Sequence, residues 1–293
     1  MENKVYQMVA DRIIEQMNKG VIPWRKPWYY GGTDADASEV AISYVSRRAY
    51  SALNQMLLGE PGEYLTFKQI QDLGGKIRKG EKSKIVVFYT KYEFVKKDEK
   101  TGEEKLQSIP ILRYYNVFHL NQTEGIKSKI VEGERVKVEA EPNFADEVIS
   151  EYVKRSGIKF QNDRPSSKAY YSPGTDTVVV PMKSHYECVA EYYSTCFHEL
   201  GHSTLKADRC DRKSENDGAF FGNEAYSREE LVAEITAAML CTRTGVEMER
   251  AFRNSVAYLQ GWVKAIKNDP KAIVYAASKA EKAAKYIMNE IEG

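Results

Sequence analysis

The chain has 293 residues, 42% of them hydrophobic and 29% charged, with a formal net charge of +1. That composition suits a globular chain with one large or two ordinary domains, and no apolar run approaches the length of a membrane span. The near-neutral total hides an asymmetry: residues 1–130 carry 21 Lys and Arg against 16 Asp and Glu, a charge of +5, and the remainder carries 22 against 26, a charge of −4.

From the start, "MENKVYQMVADRIIEQMNKG" reads as an amphipathic helix containing acids, which fits neither a secretory signal nor a transit peptide. Cytoplasmic residence is the expectation. Next, "GVIPWRKPWYY" sets Trp24 and Trp28 around Arg25 and Lys26, and "LGGKIRKGEKSKIVVFYTKY" presents Lys76, Arg78, Lys79 and Lys82 ahead of a β-rich run. Cations track a phosphate backbone and aromatic faces stack on unpaired bases, so these residues together point to single-stranded nucleic acid. No helix here has the dense basic face of a major-groove reader. Trp24 and Trp28 would serve equally as core anchors, and a lysine-rich hairpin as ordinary solvated surface. The charge change falls in "EGIKSKIVEGERVKVEAEP", where aromatics vanish, so a linker at 131–142 is expected to divide domains at 1–130 and 143–293.

In the acidic half, "YYSTCFHELGHS" places His198 and His202 four residues apart with Glu199 directly after the first. Ser184 to Leu205 contains no Pro, and Val189, Tyr193, Cys196, Phe197 and Leu200 recur at helical steps, so both imidazoles share the face opposite Leu200. Two imidazole nitrogens one turn apart are half of a tetrahedral zinc site. Glu199, about 100° round the helix, stands beside the ligands as the general base. A third ligand is sought in "AYSREELVAEITAAML", where Leu231, Ile235, Ala238 and Met239 form the apolar side and Glu230 and Glu234 share a face. One of the pair would bind metal while the other orients a ligand. Glu229 competes with Glu230 for the ligand position, and helical geometry does not exclude it. Tyr226, one turn before Glu230, is a candidate to stabilise an oxyanion. Cys188, Cys196, Cys210 and Cys241 show no C-x-x-C spacing, against a zinc ribbon or redox pair. A helix pair broken at Asn268-Asp269-Pro270 closes the chain as scaffold.

The ordered blocks "PWRKPW", "YLTFKQIQDLGGKIRKGEK", "VFHLNQTEG", "YYSPGTDTVVVP", "HELGH" and "YSREELVAEITAAML" resemble the ArdC-type antirestriction proteins of conjugative plasmids and related mobile elements. The resemblance implies an α+β chain of two domains: a basic N-terminal α/β module that binds single-stranded DNA, and a C-terminal zincin-like metallopeptidase domain. It further implies a role in protecting incoming DNA from restriction. By position, His198 and His202 match the family's metal histidines, Glu199 its base and the "EELVAE" segment its acidic ligand, with Zn2+ as the cofactor. Expected partners are single-stranded DNA and a protein or peptide substrate such as a restriction-system component, with no membrane. "TDTVVVP" looks like the zincin edge strand on which an extended peptide would pair. The segment "STLKADRCDR" departs from the family pattern and leaves the entrance beside the metal open. The competing reading is a DNA-shielding protein whose metal site is structural or silent.

Overall fold

The computed structural model of the chain describes residues 2–25, 40–97, 104–130, 144–163, 168–212, 224–247 and 256–290. The first element is the expected amphipathic helix, α1 (Glu2–Asn18), followed by a single 3-10 turn at Pro23–Arg25. A four-stranded sheet follows, built from β1 (Ala41–Ser43), β2 (Gly62–Thr66), β4 (Lys84–Lys97) and β5 (Glu104–His119) in the order β1-β2-β5-β4. Only β1 and β2 run parallel. Beside the sheet, β3 (Lys76–Ile77) pairs with β6 (Thr123–Glu124) and anchors the basic loop.

Helix α2 (Ala52–Leu58) is buried on every side, which for Asn54 and Gln55 requires partners. Each amide finds them on a strand backbone. Asn54 accepts from Val87 N and donates to Val87 O at 2.7 and 2.9 Å, and Gln55 does the same with Ala41 at 2.9 Å in both directions. These two side chains therefore complete the outer strands β4 and β1 of the sheet as further strands would. The β4–β5 hairpin is covered only at its base, where Ile85, Val86 and Val87 are buried. Past Leu112, which is still buried, Tyr92, Val95, Leu106 and Ile109 are exposed because the strands outrun the core, and Phe88, Tyr114 and Tyr115 are exposed beside the base itself.

Helix α3 (Phe67–Asp72) follows β2 behind a capping box made by Thr66 and Gln69. In the C-terminal half, α4 (Phe144–Ser156) precedes a sheet ordered β7-β9-β8 from Lys159–Gln161, Thr177–Val179 and Tyr170–Ser172. This corrects the reading of "TDTVVVP" as an edge strand. Thr177–Val179 is the central strand, paired on both sides, and Val178 and Val180 are fully buried. A run of three valines is the pattern of a strand covered on both faces.

Helices α5 (Val189–Ser203), α6 (Glu224–Arg243), α7 (Val256–Asn268) and α8 (Lys271–Ile287) complete the fold, with the last break at Asp269-Pro270 as expected. Helix α6 lies between α5 and α8, and Leu231, Val232, Ala233, Ile235, Ala237 and Leu240 are all at 0% exposure. A helix stretch buried on every face, as residues 231–240 are, is a central one. Its glutamates therefore do not lie on the freely solvated face that acid pairs usually occupy. Helix α8 packs against it, and Ala272, Ala276, Ala280 and Ala284 of α8 are buried in the shared core, where small side chains permit close packing.

The two ends of the chain share one core. Val9, Ile13 and Met17 of α1 belong to the same continuous cluster as Phe197, Leu231, Trp262 and Ile273. Residues 131–142, the expected linker, lie outside the described residues.

Candidate metal centre

The site begins with a close helix crossing. A Cβ added at Gly201 would stand 3.2 Å from Ala233 Cα, so the absence of a side chain there lets α5 settle this near α6 without displacing it. One turn of α5 on that face presents His198 and His202, with Nε2 atoms 3.1 Å apart and ring centroids 4.8 Å apart. Opposite, one carboxylate spans both rings: Glu230 Oε1 is 3.4 Å from His202 Nε2, and Oε2 is 3.5 Å from His198 Nε2. Donor atoms of these three residues lie within 4.8 Å of one another, the one such group among the described residues. Donors held about 2.0–2.1 Å from a tetrahedral zinc are about 3.3 Å from each other, so the donor set fits a cation without rearrangement.

The outward nitrogens are also occupied. Glu234 Oε2 lies 3.7 Å from His198 Nδ1, and Glu229 Oε1 lies 3.4 Å from His202 Nδ1. A carboxylate at Nδ1 favours the tautomer whose Nε2 lone pair is free for a metal. Each of these carboxylates is in turn held by an arginine. Arg25 Nη2 meets Glu234 Oε1 at 2.7 Å, and Arg212 Nη2 meets Glu229 Oε1 at 2.7 Å. Arg212 is wholly buried and also donates to Thr204 Oγ1 at 2.6 Å and Gly201 O at 3.2 Å. The segment "STLKADRCDR" thus folds back beneath α5, with Arg209 tied to Ser203 O at 2.8 Å and Asp176 Oδ2 at 2.7 Å.

The electrostatics follow from the charge count. Glu199, Glu229, Glu230 and Glu234 stand against two guanidiniums, Arg25 and Arg212, which leaves two negative charges in excess. One divalent cation balances that excess. Burial opposes charging His202, yet Glu229 and Glu230 raise its pKa to about 9. For His198 burial again opposes, and Glu230 and Glu234 hold the pKa well above the usual histidine range. Burial pushes Glu230 up, and the two imidazoles overcome this and hold it well below the usual carboxylate range. Burial pushes the Cys196 thiol up to about 12, so it is inert at neutral pH. Cys188, Cys196, Cys210 and Cys241 are not joined in disulfides.

Glu199 is buried on the same helix, and its carboxylate makes no hydrogen bond or ion pair with a described residue. Tyr226 is half-buried in the first turn of α6.

Over 97% of its length the chain superposes on the antirestriction ArdC protein from the R388 plasmid, with a TM-score of 0.69. Identity is 32% with its metal-free crystal structure and 30% with its Mn(II)-bound one, covering 96% and 97% of those chains. The chain belongs to the ArdC antirestriction family. Residues 3–118 match the N-terminal domain of anti-restriction factor ArdC, and residues 147–279 match the zincin-like metallopeptidase family. The fold is thus the two-domain α+β architecture of ArdC. Curated relatives include two Escherichia coli proteins named DNA primase TraC, each 29% identical over 97% of this chain. The chain spans 27% and 20% of their lengths. A Sinorhizobium fredii protein, y4eC, is 28% identical over 97% of this chain and 91% of its own. No helix among the described residues is long and apolar enough to cross a membrane.

For this ArdC-family chain the expected DNA contacts divide. Trp24 is 1% exposed and meets Trp262 edge-on at 5.4 Å, so it is a core anchor and not a stacking platform for bases. Arg25 is likewise removed from the DNA set, because its guanidinium is held inside by Glu234. The physical reason is shared: the turn at Pro23–Arg25 packs onto α6, which only tertiary structure reveals. Lys26 and Trp28 lie outside the described residues. Lys76, Arg78, Lys79 and Lys82 are exposed, and Lys76 pairs with Glu124 at 3.2 Å.

Sequence reasoning missed a groove of about 470 Å3 in the N-terminal domain, lined by Arg48, Tyr50, Phe88, Tyr115, Gln69 and serines. Phe88 packs 6.3 Å from Tyr50 and 6.0 Å from Tyr115, forming a partly exposed aromatic row. The alternation Val86-Phe88 on β4 and Tyr115-Val117 on β5 places these residues on one sheet face, and that was the available signal.

Proposed function

We propose that this ArdC-type chain protects incoming DNA from restriction by combining a single-strand-binding N-terminal domain with a zinc-dependent peptidase centre. The observation that carries the peptidase half is the convergence of His198 Nε2, His202 Nε2 and Glu230 while Glu229 and Glu234 hold the outward nitrogens. Two imidazoles and a carboxylate suit zinc and would also accept Mn2+, and the R388 relative has an Mn(II)-bound structure. When bound, such a cation supplies a Lewis acid that acidifies water and polarises a carbonyl. Glu199, buried and unpaired among the described residues, accepts the water's proton and passes it to the leaving amine. Tyr226 donates to the carbonyl oxygen as it gains charge. The substrate is a protein or peptide, and a component of a restriction system is the class that fits antirestriction.

For the DNA half, the row of Tyr50, Phe88 and Tyr115 supports stacking on unpaired bases, with Arg48 at the groove and Lys76, Arg78, Lys79 and Lys82 for phosphates. This face also favours the second reading, in which the N-terminal domain alone shields the strand, because it needs nothing from the metal centre. Glu199→Gln separates the two readings. The variant keeps size, ligands and DNA face, so on the peptidase reading it loses both cleavage of a peptide library and protection of transferred DNA. Full protection by Glu199→Gln, with metal and DNA binding intact, makes shielding the mechanism.

A further inference from the structure

The residues that converge on the metal position all come from α5 and α6, yet one of the groups supporting them comes from far away in sequence. Arg25, 209 residues before Glu234, donates to its Oε1 at 2.7 Å, and Glu234 Oε2 faces His198 Nδ1 at 3.7 Å. Both side chains of the ion pair are 12% exposed. Arg25 is held in place from the other side, since its guanidinium carbon lies 5.4 Å from the centre of the Trp262 ring and Trp24 next to it meets that ring edge-on.

We infer that Arg25 is a positioning residue of the metal centre, so that the N-terminal part of the chain completes a site whose ligands all lie in the C-terminal part. This rests on the metal reading of His198, His202 and Glu230, but not on peptidase activity. A buried carboxylate with one partner is free to turn, and a second, charged partner fixes which oxygen faces the imidazole. Without Arg25, Glu234 loses that constraint, and the carboxylate oxygen 3.7 Å from His198 Nδ1 is no longer fixed beside the ring. The arrangement mirrors Arg212, Glu229 and His202, with one difference in origin. Arg212 follows the metal helix closely, whereas Arg25 ties the site to the docking of the Pro23–Arg25 turn. By linkage, metal binding and docking of that turn then stabilise each other.

The test is a zinc titration of the full chain against a chromophoric chelator, together with the visible absorption of the Co2+-loaded protein. Arg25→Ala is expected to lower zinc affinity roughly 10- to 100-fold and to shift the Co2+ bands, with Arg25→Lys in between. Glu234→Gln should lower affinity similarly, and adding Arg25→Ala to it should cost little more, because the two act through one contact. Should Arg25→Ala not fold, the Arg25→Lys and Glu234→Gln variants carry the same comparison. Wild-type affinity and an unchanged Co2+ spectrum in Arg25→Lys and Arg25→Ala, with affinity lost in Glu230→Ala, overturn this inference alone. Failure of the wild-type chain to bind zinc overturns the metal reading with it, and absence of peptide cleavage touches neither measurement.

Discussion

Gly201 and Ala233 touch backbone to backbone: a Cβ on the first would lie 3.2 Å from Cα of the second and 3.4 Å from Thr236 Cβ. Because Ala233 lies on the fully buried face of α6, the helix has little room to give. Gly201→Ala is therefore expected to destabilise the chain by about 1–3 kcal/mol through overpacking. Moving α5 from α6 also separates the histidines from Glu230, so zinc affinity falls with it. Urea unfolding of the metal-free protein and a chelator titration check the two effects. Unchanged values in both would mean that the crossing is not tight.

In the proposed metal site zinc and protons compete for the same nitrogens. In the metal-free protein Glu229 and Glu230 raise the His202 pKa to about 9 against burial, and Glu230 and Glu234 raise that of His198, so protons are held on this pair more tightly than on free imidazoles. Zinc must displace them, and apparent affinity should rise with pH until about 9. Calorimetry in buffers of different ionisation enthalpy should show protons released on binding. The sign for folding is opposite: a raised histidine pKa adds stability that is complete below its unfolded value of about 6.5 and is lost as pH climbs through about 9. Thermal melts of metal-free protein across that window measure it, and a flat profile would contradict the coupling.

Glu229 and Glu230 are neighbours with different tasks. Glu229→Ala leaves Arg212 buried without its carboxylate, which should cost about 3–5 kcal/mol of stability and lower zinc affinity about 10- to 100-fold. Glu230→Ala removes the proposed ligand at a half-buried position, so zinc affinity should collapse with a much smaller change in stability. Equilibrium unfolding of both variants in chelator distinguishes the tasks; a larger stability loss for Glu230→Ala would reverse the assignment.

Aromatic residues in the N-terminal domain should separate in the same way. Phe88→Ala and Tyr115→Ala, on the exposed row, should each weaken single-strand binding by about 1–3 kcal/mol and leave folding intact. Trp24→Ala should instead destabilise the core by about 3–5 kcal/mol. Fluorescence anisotropy with a labelled oligothymidine, at two salt concentrations, reads the first effect, and denaturant melts read the second. Equal DNA affinity in all three variants would move the binding face elsewhere.

What could be read from the sequence was set by local periodicity. A spacing of four brings His198 and His202 to one helix face whatever surrounds them, and the same rule gathers Glu230 and Glu234. The amphipathic first helix, the break before Pro270 and the abundance of strand-forming residues in "KIVVFYTKY" are equally local. Choosing partners across the chain is not. Whether Trp24 faces solvent or Trp262, whether Thr177–Val179 is an edge or a centre, and which arginine reaches which glutamate depend on helices and strands that meet only after packing. Arg25 and Glu234 are 209 residues apart, and no periodic pattern links them. Their pairing is decided by burial: a carboxylate forced into the core beside His198 must find a cation, and the turn after α1 brings the one that fits.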